Sequence, residues 1–221
     1  MSHTEVDHLV VAAATLAQGV AWCEATLGVT PGPGGKHPLM GTHNRLLKIA
    51  GERFPGAYLE IIAIDPEAPP PGRARWFGLD DAALQARIAT APQLVHFVAR
   101  STMLDMHRWG LITIGQQPGD PVHASRDTPQ GRLAWQILVR EDGALPCGGA
   151  LPTLIQWQGA HPTDHMPDSG VTLQSLALHG LPARAGDVLR LRGATLRAGA
   201  GPAIIATLQT PQGDRVLETA A

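Results

Sequence analysis

Residues 41–66 read GTHNRLLKIAGERFPGAYLEIIAIDP, and the fold of the chain turns on this stretch. Two strand-like runs, 45–49 and 57–64, flank a short connection bearing Gly and Pro, which predicts a β-hairpin. Strand side chains alternate, so Tyr58, Glu60 and Ile62 share one face and Leu59, Ile61 and Ala63 the other. A carboxylate thus sits mid-strand among large apolar residues. Such a group is rarely buried unless it is paired, hydrogen-bonded or bound to a metal. The alternative for Glu60 is a solvent-facing position on an edge strand.

A chain of 221 residues suits one large domain or two small modules and can bury a sizeable core. Its 44% hydrophobic and 16% charged residues mark a globular chain rather than a disordered one. A net charge of −2 offers no electrostatic footprint for nucleic acid. Cys23 and Cys147 are too few for a disulfide scaffold, and Cys23 falls in a helical pattern as a small hydrophobe. The opening MSHTEVDHLVV lacks a basic region followed by a long apolar one, and no apolar run is long enough to span a bilayer. The expectation is a soluble cytoplasmic protein with no membrane partner. The 25 Gly and 19 Pro imply many turns and short elements rather than a helical bundle.

Before the hairpin, residues 6–13 read as a strand, with Val6, His8 and Val10 on one face and Asp7, Leu9 and Val11 on the other. Thr15 to Gln18 has the form of a capping box, Leu16, Val20, Cys23 and Leu27 recur at helical spacing, and Gly28 supplies a stop. Residues 66–72 (PEAPPPG) form a proline-rich break. A short helix is predicted over 79–89, a strand over 94–100, and helix-compatible sequence over 102–110. Strands follow at 122–126, 132–139 and 152–157. The order strand, helix, strands therefore occurs twice. After residue 162 come a polar loop, a strand at 171–178, a short helix at 183–191, and strands at 203–208 and 215–217. The boundaries are 1–66 for the first module, 67–162 for a linker and second module, and 163–221 for a βαββ extension packed on the same domain.

Aligning the two halves by element sets His8 beside His96 in the first strands, and Glu60 beside Gln156 in the last strands. If the halves pack about a pseudo-twofold axis, these four positions converge. Imidazole and carboxylate form a ligand set for zinc, iron, nickel or manganese, and an amide oxygen can complete it. Each histidine also has a plain alternative as a hydrogen-bonded interior residue.

The segments VDHLVV, GKHPLMGTHNRL, YLEIIAIDP and LIQWQGAHP together resemble the vicinal oxygen chelate superfamily and its glyoxalase-like branch, over essentially the whole chain. The resemblance implies an α+β fold of paired βαβββ modules that curl into a cup. It implies metal ligands at His8, Glu60, His96 and Gln156, taken from the first and last strands of each module. The sequence departs from the glyoxalase pattern at Gln156, where a carboxylate is usual, leaving Glu60 as the one acid and the candidate catalytic base. The implied function is a lyase or isomerase acting on a small carbonyl or oxygenated compound, with a divalent metal as candidate cofactor. The alternative is a metal-free protein of the same fold that sequesters a small molecule. Whether modules pair within one chain or across a homodimer stays open.

Further candidates surround the expected cup. His37, His43, Asn44 and Arg45 lie in or beside the turn before the hairpin, as substrate contacts or as turn residues bonding the local backbone. Arg126 and Arg132 are candidates to bind a substrate carboxylate. His161 and His165 sit in a loop placed to cap the pocket, and Trp135 and Trp157 read as core.

Overall fold

A computed structural model describes residues 3–220 of the chain. Its first strand, β1 (Glu5–Ala12), is buried on both faces, in keeping with a near-continuous apolar run. Next comes α1 (Leu16–Leu27). Thr15 caps its start by accepting from the Gln18 amide at 3.1 Å, and Gly28 ends it in the left-handed region at φ 74°. Gly19, Cys23 and Leu27 form its buried stripe, while Leu16 and Val20 are only half-buried. The shift comes from Gly19, where a Cβ would stand 2.4 Å from Ile61 Cγ2. Glycine lets the helix press onto the sheet at that point.

β2 (Lys36–His37), β3 (Thr42–Lys48) and β4 (Tyr58–Ile64) complete the first set of elements. β3 and β4 make the antiparallel hairpin, with Leu46 opposite Glu60. The proline-rich link and a 3-10 turn at Trp76–Gly78 lead to α2 (Ala82–Thr90), capped by Asp81. The second set is β5 (Gln93–Arg100), α3 (Leu104–Thr113), β6 (Asp120–Thr128), β7 (Gly131–Val139) and β8 (Thr153–Trp157).

The two sets share one eight-stranded sheet in the order β2-β3-β4-β1-β5-β8-β7-β6. β1 and β5 run antiparallel at its centre, and each lies parallel to the last strand of its own set, β4 or β8. The sheet curls until its edges nearly meet. A Cβ on Gly35, beside β2, would lie 2.3 Å from Nη1 of Arg126, on β6. The concave face is the cup expected for paired βαβββ modules, and Val10, Ile62, Val98, Trp135 and Ile137 fill its floor and walls with Trp76 and Phe77.

The chain ends in β9 (Thr172–His179), α4 (Ala183–Leu189), β10 (Ala194–Arg197), β11 (Ile204–Thr210) and β12 (Gly213–Glu218). These strands form a second sheet in the order β10-β9-β11-β12. The sequence predicts two strands after the helix, and the structure adds β10 before them. β10 is four residues long and largely exposed, so it carries no alternating apolar signal, and it pairs in parallel with β9. This sheet packs on the convex side of the larger one. Leu173, Leu176, Leu178 and Ile204 share an apolar core there with Leu9 and Phe97. Backbone bonds tie it down, from Leu173 N to Ile49 O at 2.9 Å and from Thr4 N to Leu189 O at 3.0 Å. No helix among the described residues is long and apolar enough to cross a membrane.

Candidate functional site

The site begins at the seam between β1 and β5, where two β-bulges interrupt the pairing. Val6 pairs with Ala99 and His8 with Val98, which leaves Asp7 as an extra residue. Val10 pairs with His96 and Val11 with Leu94, which leaves Val95 extra. The two bulges are related by the local twofold, each on the residue before a histidine. A bulge breaks the alternation of faces and re-aims side chains. Asp7 and His8, adjacent in sequence, therefore meet: His8 Nδ1 lies 2.7 Å from Asp7 Oδ1. Trp157 Nε1 donates to Asp7 Oδ2 at 2.9 Å, and His161 Nε2 lies 3.1 Å from the same oxygen. The Thr163 amide donates to His161 Nδ1 at 3.3 Å, so Nε2 carries the proton that faces Asp7.

On its other side, His8 Nε2 stands 3.4 Å from Glu60 Oε2. Glu60 Oε1 accepts from Asn44 Nδ2 at 2.6 Å, and Asn44 Oδ1 accepts from the Gly35 amide at 2.7 Å. Tyr58 stacks on the His8 ring with centroids 4.5 Å apart. The result is a buried relay, Asp7–His8–Glu60, whose three members are each no more than 5% exposed.

Burial opposes charge on His8, yet its hydrogen bonds to Asp7 and Glu60 and their negative charge prevail and raise it to about 9. Burial alone would raise Asp7, but His161 and His8 hold it well below the usual carboxylate range. Burial likewise acts against Glu60, and its bond to His8, with help from Asn44, keeps it below its ordinary value. At neutral pH the relay is an imidazolium between two carboxylates. His37 is different: burial pushes it down to about 4, so it is neutral.

His8, Glu60, Asn44, Tyr58, Trp76 and Arg126 all line one small cavity of ≈ 40 Å³ inside the cup. A larger chamber of ≈ 540 Å³ adjoins it at the mouth and shares Leu46, Arg126 and Pro162 with it; His161 and His165 lie in that chamber's wall. The small cavity is what the aromatic side chains leave. Trp76 and Phe77, from the inter-module link, stack on each other inside the cup at 5.3 Å.

The expected ligands do not converge. His96 is committed to backbone: its Nδ1 lies 3.1 Å from Gly149 O, and its Nε2 accepts from the Thr153 amide at 3.0 Å. Burial lowers it to about 3, so it is neutral. Gln156 faces the convex side, where its Oε1 accepts from the Leu104 amide at 3.0 Å and caps α3. The strand register explains this. Val10 pairs with Glu60 and the equivalent Val98 pairs with Thr153, so Thr153 takes the place that lettering gives to Gln156. The Thr153 hydroxyl lies 3.0 Å from His96 Nε2, as Glu60 lies against His8. His43 points away from the cup and stands 3.9 Å from Asp65. Asp7 and Trp76 are site residues that alternation and composition did not single out. The adjacent pair Asp7-His8 was the available signal for the first, and an aromatic pair beside a proline run for the second.

Among the described residues no group of three or more His, Cys, Asp or Glu side chains could hold a metal ion. The donors themselves explain why: both nitrogens of His8 face carboxylates, and both of His96 face backbone or Thr153. This set does not fit a divalent metal held at His8, Glu60, His96 and Gln156.

A curled sheet of paired modules around such a cup defines a vicinal oxygen chelate fold. The family model described as a glyoxalase-like domain matches residues 6–187, and the chain belongs to that family. Among solved structures, a hypothetical protein from Staphylococcus aureus is similar with a TM-score of 0.60 at 13% identity, over 98% of this chain and 88% of that one. A methylmalonyl-CoA epimerase in complex with methylmalonyl-CoA and NH4+ gives 0.46 at 19% identity, over 72% and 99% of the two chains. The epimerase from Mycobacterium tuberculosis gives 0.41 at 17%, over 73% and 91%. No curated protein sequence matches the chain.

Proposed function

We propose that this glyoxalase-like protein is a cytoplasmic lyase or isomerase that moves a proton next to the carbonyl of a small molecule, with Glu60 as the base. The observation that carries this is the buried relay, which keeps Glu60 ionised in the wall of a cavity. Perturbed, buried titratable groups gather at functional sites because holding them there is costly elsewhere. Glu60 takes the proton from the carbon beside the carbonyl, and the electron pair moves onto the carbonyl oxygen as an enolate. Arg126, in the same cavity wall, offsets that charge. His8 and Asn44 hold the Glu60 carboxylate in place. Return of the proton to the other face of that carbon, or to the neighbouring carbon, completes an isomerisation, and departure of a group on the neighbouring carbon with its electron pair completes a lyase reaction. No step passes through a metal.

The test is solvent-deuterium exchange. A panel of small oxo compounds and α-oxoaldehyde thiol adducts is incubated with the protein in heavy water, and the protons beside each carbonyl are followed by NMR. Exchange is expected with the wild type and a loss of about 100-fold or more with Glu60→Gln. Absence of exchange across the panel would sink the reaction. A second reading, sequestration of a small molecule, is favoured by one observation: Trp76 and Phe77 leave only ≈ 40 Å³ beside Glu60. Its signature is thermal stabilisation by a compound that is recovered unchanged.

A further inference from the structure

Buried polar groups are almost always hydrogen-bonded, so each exception asks for a partner. Six described residues carry a buried side-chain nitrogen without one, and two of them, Trp76 and Arg126, line the cavity beside Glu60. Trp76 is only 9% exposed, and its Nε1–H has no acceptor among the described residues. The Arg126 Nε–H is in the same condition. Both are donors only, and one belongs to a fixed cation.

Their positions are set by neighbouring structure. Trp76 is held edge-on to His37 at 5.0 Å and stacked on Phe77, whose backbone sits in the left-handed region at φ 58°. That conformation is unfavourable for a non-glycine residue. Arg126 crosses from β6 over Gly35, and any side chain there would collide with its Nη1. Glycine at 35 and an unfavourable turn at 77 both serve to bring these donors to the cup wall.

From these two donors we infer that the cup seats a carboxylate, and that the substrates of the proposed reaction are small oxo acids. This deepens the reaction proposed for Glu60 and rests on it for the word substrate. A carboxylate presents planar acceptor oxygens that match a guanidinium and an indole N–H. A cavity of ≈ 40 Å³ is larger than one water needs and suits a group of a few heavy atoms. The adjoining chamber of ≈ 540 Å³, which shares Leu46, Arg126 and Pro162 with the cavity as lining, takes the remainder of the molecule. His8 lies between Asp7 and Glu60, His37 is neutral, and with Arg126 the four charged groups sum to zero, so an incoming carboxylate meets no net negative charge.

The experiment follows the five indole N–H resonances of the protein, with Trp76→Phe identifying the one that belongs to Trp76. Probes are 2-oxobutyrate, its methyl ester and inorganic phosphate. The expected result is a saturable downfield shift of the Trp76 resonance with 2-oxobutyrate and none with the ester or phosphate. Trp76→Phe and Arg126→Lys each weaken binding about tenfold, as loss of a hydrogen bond to a charged group does. The other four indole resonances report that each variant is folded. A shift produced equally by the ester, or by phosphate alone, or by no probe at millimolar concentration, overturns the carboxylate seat. Glu60→Gln separates the two proposals. If the wild type and Glu60→Gln both bind 2-oxobutyrate but neither exchanges its protons, the seat stands and the reaction falls. If esters exchange as fast as acids, the reaction stands and the seat falls.

Discussion

His8 and His96 occupy equivalent places in the two halves of the sheet, each just after a bulge and each facing a residue of its own module's last strand. One is a cation held near 9 and the other a neutral ring held near 3. Both are wholly enclosed, so burial does not separate them. The bulged neighbour does. In the first half it is Asp7, which brings a carboxylate to the imidazole; in the second it is Val95, which brings none. The partner across the parallel seam repeats the contrast, with Glu60 in one half and Thr153 in the other. A single residue type in a single backbone setting thus has two chemistries, set by what stands on either side of it.

Asp7→Val makes the first half match the second and is the most severe way to break this contrast. It strands the His8 imidazolium, the Trp157 N–H and the His161 N–H without their acceptor. Loss of one partner from a buried charged pair costs about 3–5 kcal/mol, and chemical denaturation should show a fall of that size. In whatever folded fraction remains, His8 should titrate well below 9. A loss under about 1 kcal/mol with His8 unchanged would mean that Asp7 does not hold the charge.

The two histidines also predict opposite pH dependences. The folded value of His8, about 9, lies above its ordinary 6.5. Its contribution is fully present below pH 6.5 and is lost as pH rises through 9. His96, at about 3, contributes fully above 6.5, and that contribution is lost as pH falls towards 3. The His8 arm is worth on the order of 3 kcal/mol and the His96 arm on the order of 5 kcal/mol. Imidazole resonances followed from acid to alkali, beside denaturation at each pH, check both signs. A His8 ring that titrates near 6.5 would remove the distinction.

Gln156→Leu should have the smallest effect and sharpens the comparison from the convex side. It removes the acceptor for the Leu104 amide at the start of α3, worth about 1 kcal/mol. The titration of His8 and any ligand binding should not change. A shift in either would place Gln156 in the site.

The hairpin, the capped first helix and the doubled order of strands and helix were legible because they rest on local rules. Thr15 caps, Gly28 stops, and the 57–64 run alternates as strands do. Glu60 and His8 were legible for the same reason, since a polar residue amid an apolar strand stands out. What escaped notice depends on pairing between distant strands. Strict alternation assigns Asp7 to the convex side, and the bulge that turns it inward exists only against β5. Lettering matches YLEII to LIQWQ, while the register against β5 selects Thr153. Trp76 follows a proline run that reads as linker, and only the closed cup shows that it ends inside. β10 lacked any side-chain pattern to read.

The convex sheet has a consequence for synthesis of the chain. Its strands, residues 172–218, cover Leu9, Val11 and Phe97, and Thr4 bonds Leu189 far along the chain. As the chain leaves the ribosome, the outer face of β1 and β5 therefore stays bare until residues 172–218 have emerged. Exposed apolar strand surface of that kind invites aggregation and chaperone capture. Nascent chains arrested before residue 170 should accordingly bind a hydrophobic dye and yield to protease, whereas chains that have emerged past residue 218 should do neither. The two modules that build the cup are made first, and their apolar back is covered only when the strands within 172–218 have folded over it.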